Sequence, residues 1–140
     1  MPGTLEALSQ VPMFSQLPRR ALERLERITR QRGFQPGETI VKEGDEGVGF
    51  FMITSGKVDV TRGGKALNTL GAGEFFGEMA LLDNHRRSAT VVAVEQTECL
   101  VMLRSDFIAE LQSNADLAID MLGILSRRVR DLDERLAEYA

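Results

Sequence analysis

This chain of 140 residues has one cysteine, one histidine and no excess of basic charge. Each scarcity excludes something. Cys99 alone forms no internal disulfide, so no disulfide framework holds the fold, and a reducing compartment suits it. It stands in the apolar run Cys99-Leu100-Val101-Met102-Leu103, which predicts a buried, inert thiol rather than a nucleophile. His85 alone cannot supply the histidine cluster of a metal enzyme, and a nucleophile–base pair would have to rely on it unaided. Its polar surroundings predict solvent exposure. Lys and Arg number 17 against 21 Asp and Glu, a net charge of −4 that leaves no basic footprint for nucleic acid. No apolar run approaches the roughly 18 residues of a membrane-spanning helix, and the N-terminus lacks a signal-peptide core. Gly44-Asp45-Glu46-Gly47 is not followed by the Gly-Lys-Ser/Thr of a phosphate-binding P-loop. A cytoplasmic protein without membrane insertion, metal or catalytic centre is the expectation.

What is present has the texture of an ordinary folded domain, 43% hydrophobic and 27% charged, so disorder is not the default. The chain reads as helical, then glycine-rich and β, then helical again. Over Pro18–Gln31 the residues Ala21, Leu22, Leu25 and Ile28 recur at helical spacing, with Pro18 suited to the first turn and Gly33 to the stop. Thr4–Ser9 predicts a further short helix, and Val11-Pro12-Met13-Phe14 an apolar elbow between the two. Eleven of the 13 glycines fall between Gly33 and Gly77, so that stretch turns often. Strands are predicted at Thr39–Lys42, Val48–Ile53, Lys57–Thr61, Ala66–Leu70, Ser88–Val94 and Glu98–Leu103. Ser55-Gly56 and Arg62-Gly63-Gly64-Lys65 are predicted hairpin turns. Short strands with frequent turns argue for a sandwich, roll or barrel. Ser105 is a candidate N-cap for a helix carrying Phe107, Ile108 and Leu111.

A longer helix is predicted from Asp116 to Glu138. Along it Ala118, Leu122, Leu125, Val129, Leu132, Leu136 and Tyr139 follow alternating spacings of four and three, a heptad seam. Two readings of the seam stand side by side: a helix laid on its own domain, and a homodimer through this helix.

The informative stretch is Phe75-Phe76-Gly77-Glu78-Met79-Ala80-Leu81-Leu82, then Asp83-Asn84-His85-Arg86, then Arg87-Ser88-Ala89-Thr90. Gly77 lets the backbone approach a ligand closely, and a short helix from Glu78 would offer free N–H groups to a phosphate. Arg87 can add a bidentate, charge-assisted pair. Glu78 is acceptor-only and suits a sugar hydroxyl rather than an anion. The competing account is a surface salt bridge between Glu78 and Arg87, worth about 0–1 kcal/mol. Ser88 would either bond the ligand through its hydroxyl or serve as a small residue under the roll.

These motifs, with Pro36-Gly37-Glu38, Glu43-Gly44-Asp45, Ser55-Gly56-Lys57-Val58 and Gly71-Ala72-Gly73-Glu74, resemble the cyclic-nucleotide-binding domain family. That family includes catabolite-activator-type regulators, protein kinase regulatory subunits and gated channels. The resemblance spans about Phe14 to Arg130. It implies a mainly β fold with flanking helices, a jelly-roll-like β-roll or double-stranded β-helix with N-terminal helices and a C-terminal lid helix. One domain of residues 1–140 is expected: helices over 1–33, the roll over 34–103 with a phosphate-binding cassette at 75–90, and helices over 104–140. By position, the resemblance implies that Glu78 binds the ribose 2′-hydroxyl and Arg87 the cyclic phosphate. Backbone N–H groups of Gly77, Met79, Ala80, Ser88 and Ala89 would complete the cradle. Arg86 departs from the pattern, since many members carry proline there, and a looser loop is expected. A threonine directly after the cassette arginine often accompanies cyclic GMP in the family; Ser88 stands there instead, which favours cyclic AMP. The implied function is a non-enzymatic sensor that acts through its C-terminal helix on an unknown effector. No DNA-binding helix-turn-helix is expected after that helix, and direct DNA binding is not expected. Two alternatives are a ligand-free dimerisation module on the same fold and a cupin-type enzyme, the latter ill served by one histidine.

Overall fold

The computed structural model describes residues 3–83 and 86–138. The expectations for His85 and Tyr139 lie outside the described residues, as does the side chain of Met79. The chain gathers into two compact units, residues 27–108 and residues 1–26 with 109–140.

In the first unit, two antiparallel four-stranded sheets form a β-roll. The first sheet runs β1 (Thr29–Phe34), β8 (Thr97–Leu103), β3 (Gly49–Ser55) and β6 (Phe75–Phe76). The second runs β2 (Thr39–Val41), β7 (Thr90–Ala93), β4 (Lys57–Arg62) and β5 (Lys65–Gly71). Phe34, Phe51, Ile53 and Cys99 from one sheet meet Val58, Val91 and Ala93 from the other in the core. Strand β4 shows the alternation that its sequence predicts, with Val58 buried between exposed Lys57 and Asp59. In β3 and β8 alternation is absent, because Phe50–Ile53 and Cys99–Met102 are buried on both faces. That is why the run around Cys99 is continuously apolar. Burial, with the neighbouring Glu98 carboxylate, pushes the Cys99 thiol up to about 11. The Arg62–Lys65 turn forms where predicted, with Gly63 and Gly64 both at positive φ.

One boundary differs from the sequence reading. The helix expected over Pro18–Gln31 is α2, Arg19–Arg27, and the segment that follows is strand β1. Thr29–Phe34 pairs with β8 across six positions, and Gly33 stands inside that ladder opposite Glu98 instead of ending a helix. The roll therefore begins before residue 34.

In the second unit, α1 (Thr4–Ser9) matches its prediction, and Val11, Met13 and Phe14 of the elbow are buried. Helix α3 (Arg104–Ser113) bridges the two units in sequence and starts one residue before Ser105, which lies in its first turn rather than at its N-cap. Asn114 caps α4 (Ala115–Glu138), its Oδ1 accepting the Leu117 N–H at 3.4 Å. Along α4 the buried residues are Leu117, Met121 and Ile124, whereas Leu122, Val129, Leu132 and Leu136 of the heptad seam are each more than half exposed. The helix thus carries two apolar stripes, one buried and one open. Among the described residues no helix is long and apolar enough to cross a membrane.

Candidate functional site

The site begins where a ladder stops. Strand β6 pairs with β3 through Phe51 and Phe76, whose rings stack with centroids 5.1 Å apart. Two residues further, the same register would set Glu78 opposite Gly49. Gly77 intervenes at φ +82, and the chain turns into a 3-10 helix at Glu78–Leu81. A Cβ at position 77 would overlap the Arg87 guanidinium and lie 2.7 Å from the Gly49 carbonyl oxygen. Only glycine fits both the dihedral and the space. The Gly49 carbonyl accepts instead from Arg87 Nη2 at 2.5 Å.

Arg87 is aimed by the backbone on either side of it. Its N–H donates to the Asp45 carbonyl at 2.7 Å, and the Gly44 N–H donates to the Arg87 carbonyl at 2.9 Å. Arg86 joins the same loop, its Nη1 donating to the Gly44 carbonyl at 2.8 Å. The looser loop expected before Arg87 for want of proline includes residues 84 and 85, which lie outside the described residues. The Arg87 guanidinium lies over the Phe51 ring, 5.9 Å from its centroid. Burial removes water from it and lowers its pKa from the ordinary arginine value. Its Nε is buried with no hydrogen-bond partner, so a fixed cation keeps an unmet donor.

A cleft of about 600 Å³ opens at this point, in the size range of small-molecule sites. Gly77, Glu78, Ala80, Arg87, Ser88 and Ala89 all line it. Apolar side chains complete the wall, among them Val41, Val60, Leu70 and Val91, and Leu67 is half exposed at its edge. The structure thus brings the sequence-predicted residues other than Met79 to one hollow, within one compact unit. Among the described residues the N–H groups of Gly77, Glu78, Ser88 and Ala89 have no hydrogen-bond acceptor. Ala80 differs from its expected role: its N–H donates to the Gly77 carbonyl at 3.0 Å and closes the turn, so it adds wall but not a free amide. The salt bridge between Glu78 and Arg87 does not form; the ion pairs among the described residues are Arg19–Glu23 and Arg24–Glu110. Nor do the described residues include a group of three or more His, Cys, Asp or Glu placed to hold a metal. Sequence reasoning missed Gly49 and Phe51, which seat Arg87. No local signal marks them, since Gly49 lies 38 residues from the arginine it holds.

A cavity with one desolvated guanidinium, a row of free amides and an apolar wall suits a small organic anion. The sequence model of the cyclic nucleotide-binding domain matches residues 31–114. The chain belongs to the cyclic nucleotide-binding domain family. Over 111 residues, 76% of its length, this domain is 40% identical to the cyclic AMP receptor protein of Thermus thermophilus, of which it covers 51%. It is 48% identical over 67 residues, 48% of its length, to a cGMP-dependent protein kinase of Toxoplasma gondii, of which it covers 7%. The N-terminal domain of a transcriptional regulator from Streptomyces coelicolor A3(2) superposes with a TM-score of 0.82 at 26% identity, over 91% of this chain and 95% of that one. The chain spans about half the length of the Thermus protein and a small part of the kinase. Its β-roll, with helices before and after it in sequence, is the family fold, and the family's ligand is a cyclic nucleotide. Domains of this kind are typically regulatory rather than catalytic.

Proposed function

We propose that this domain is a non-enzymatic sensor that prefers cyclic AMP to cyclic GMP. The observation that carries the reading is the buried, donor-rich Arg87 facing the cleft with its Nε unmet. An exocyclic phosphate oxygen pairs with the guanidinium where Arg87 lines the cleft, and the free N–H groups of Gly77, Glu78, Ser88 and Ala89, with that of Met79, take the remaining phosphate oxygens. Glu78, on the same wall and in no ion pair among the described residues, accepts from the ribose 2′-hydroxyl. The apolar wall and the open edge at Leu67 take the base, which every cyclic nucleotide presents with a flat apolar face.

The preference for cyclic AMP rests on Ser88 and on the likeness to the Thermus receptor; the likeness to the Toxoplasma kinase weighs on the other side. The signal passes through α4. A ligand that binds one arrangement of this helix better than another shifts a pre-existing equilibrium by that difference in affinity. A cytoplasmic effector protein or domain, rather than DNA contacted by these residues, receives it. The exposed seam of Leu122, Val129, Leu132 and Leu136 favours homodimerisation through α4 in addition to ligand binding.

Calorimetric titration with cyclic AMP and with cyclic GMP, paired with light scattering before and after, tests the reading. Saturable binding that is tighter for cyclic AMP, by a dimer, supports it. Binding of neither nucleotide overturns the sensor reading, and a monomer throughout overturns the seam as an interface.

A further inference from the structure

The cassette ends at a second broken ladder, and there two side chains do what backbone would otherwise do. Strands β4 and β7 pair through Lys57–Val94, Asp59–Val92 and Thr61–Thr90, with the Val94 N–H donating to the Lys57 carbonyl at 2.9 Å. Hydrogen-bonded pairs in an antiparallel ladder recur every second residue, so the next rung would join Gly63 and Ser88. That rung would direct the Ser88 N–H to Gly63 and the Gly63 N–H to the Ser88 carbonyl. It does not form. The Gly63 N–H donates to Glu43 Oε1 at 3.0 Å, and the Ser88 carbonyl accepts from Arg62 Nε at 2.8 Å. Glu43 is itself held at the start of β7, its N–H donating to Thr90 Oγ1 at 3.0 Å.

The replacement satisfies two of the rung's groups with side chains and releases a third, the Ser88 N–H. It also fixes direction. The Ser88 carbonyl and the Ala89 N–H share one planar trans peptide and point opposite ways. Ser88 and Ala89 line the cleft and Arg62 does not, so a carbonyl tied to Arg62 turns the Ala89 N–H toward the cleft. We propose that Arg62, with Glu43, is a positioning residue that keeps this rung open and presents the Ser88 and Ala89 amides to an anionic ligand without touching it. The inference rests on the cyclic-nucleotide reading of the cleft.

The test compares wild type with Arg62→Ala and Arg62→Gln in titrations with cyclic AMP, cyclic GMP and the two phosphorothioate diastereomers of cyclic AMP. Each diastereomer replaces a different exocyclic oxygen with sulfur, so their affinity ratio reports how the phosphate is held. Arg62→Ala is expected to weaken binding about five- to tenfold, the order of one ordinary hydrogen bond, and to compress the diastereomer ratio. Arg62→Gln, which keeps an N–H donor, is expected to restore part of both. Amide hydrogen exchange of the ligand-free protein adds an independent readout: closing of the rung in Arg62→Ala slows exchange at Ser88. Should Arg62→Ala fail to fold, Glu43→Ala, which frees the Gly63 N–H to close the rung, is expected to show the same loss and the same slowed exchange. Unchanged affinity and an unchanged ratio in a folded variant overturn the positioning role while the cleft reading stands. A wild-type chain that binds neither nucleotide overturns both.

Discussion

Arg87 donates to the Gly49 carbonyl at 2.5 Å across 38 residues of sequence, and this contact fixes the guanidinium at the cleft while leaving its Nε unmet. The pairing explains how a charged group is held part-buried with no ion pair among the described residues. A neutral carbonyl satisfies one donor and does not cancel the charge, which stays available for an anion.

Replacing that arginine is expected to cost the most affinity. Arg87→Ala should weaken cyclic nucleotide binding by about 2–5 kcal/mol, because a desolvated phosphate loses its charged partner. Arg87→Lys should recover little of it, since one ammonium on a flexible stem cannot reproduce the planar fork that serves both carbonyl and phosphate. Calorimetric affinity within twofold of wild type for the alanine variant would show that the anion sits elsewhere.

Gly77→Ala strains the fold and blocks the site together. The positive φ costs about 1–3 kcal/mol for a residue with a side chain, and the added methyl meets both Gly49 and Arg87. Chemical denaturation is expected to show the stability loss and titration a larger loss of binding. A variant as stable as wild type would mean that the chain adopts another path at this corner.

Glu78→Gln separates sugar from phosphate. It should weaken cyclic AMP by about 1–3 kcal/mol by removing a charged acceptor, and leave the 2′-deoxy analogue nearly untouched. Equal losses for the two ligands would remove Glu78 from the ribose.

Cys99 makes the fold sensitive to alkali. With its thiol at about 11 in the folded protein and lower in the unfolded chain, the folded state holds its proton to higher pH. The contribution is fully present below the unfolded value and is lost as pH rises toward 11. Wild type should therefore lose about 2 kcal/mol of stability relative to Cys99→Val across that range. Parallel stability curves for the two proteins would show that burial does not perturb the thiol. At neutral pH a thiol reagent should label Cys99 only as fast as the protein unfolds.

The sequence by itself determined the features whose causes are local. The glycine turns, the alternation in β4, the span of α1 and the grouping of Gly77, Glu78, Arg87, Ser88 and Ala89 follow from residue type and spacing within a few positions. Strand β1 was not legible, because Thr29–Phe34 is mostly exposed and polar and Ile28 extends the helical period; only pairing with β8 makes it a strand. The α4 pattern was legible as two overlapping apolar periods, but burial of Leu117, Met121 and Ile124 was needed to show which stripe stays open. Ser105 lost the cap to a helix that starts one residue earlier. Gly49 beneath Arg87, Arg62 on the Ser88 carbonyl and Glu43 on the Gly63 N–H were decided by the tertiary structure alone. Each joins residues 20 or more apart at the point where a strand ladder ends. Side-chain chemistry says which groups can bond, but only the closed roll sets which unpaired backbone groups lie within their reach.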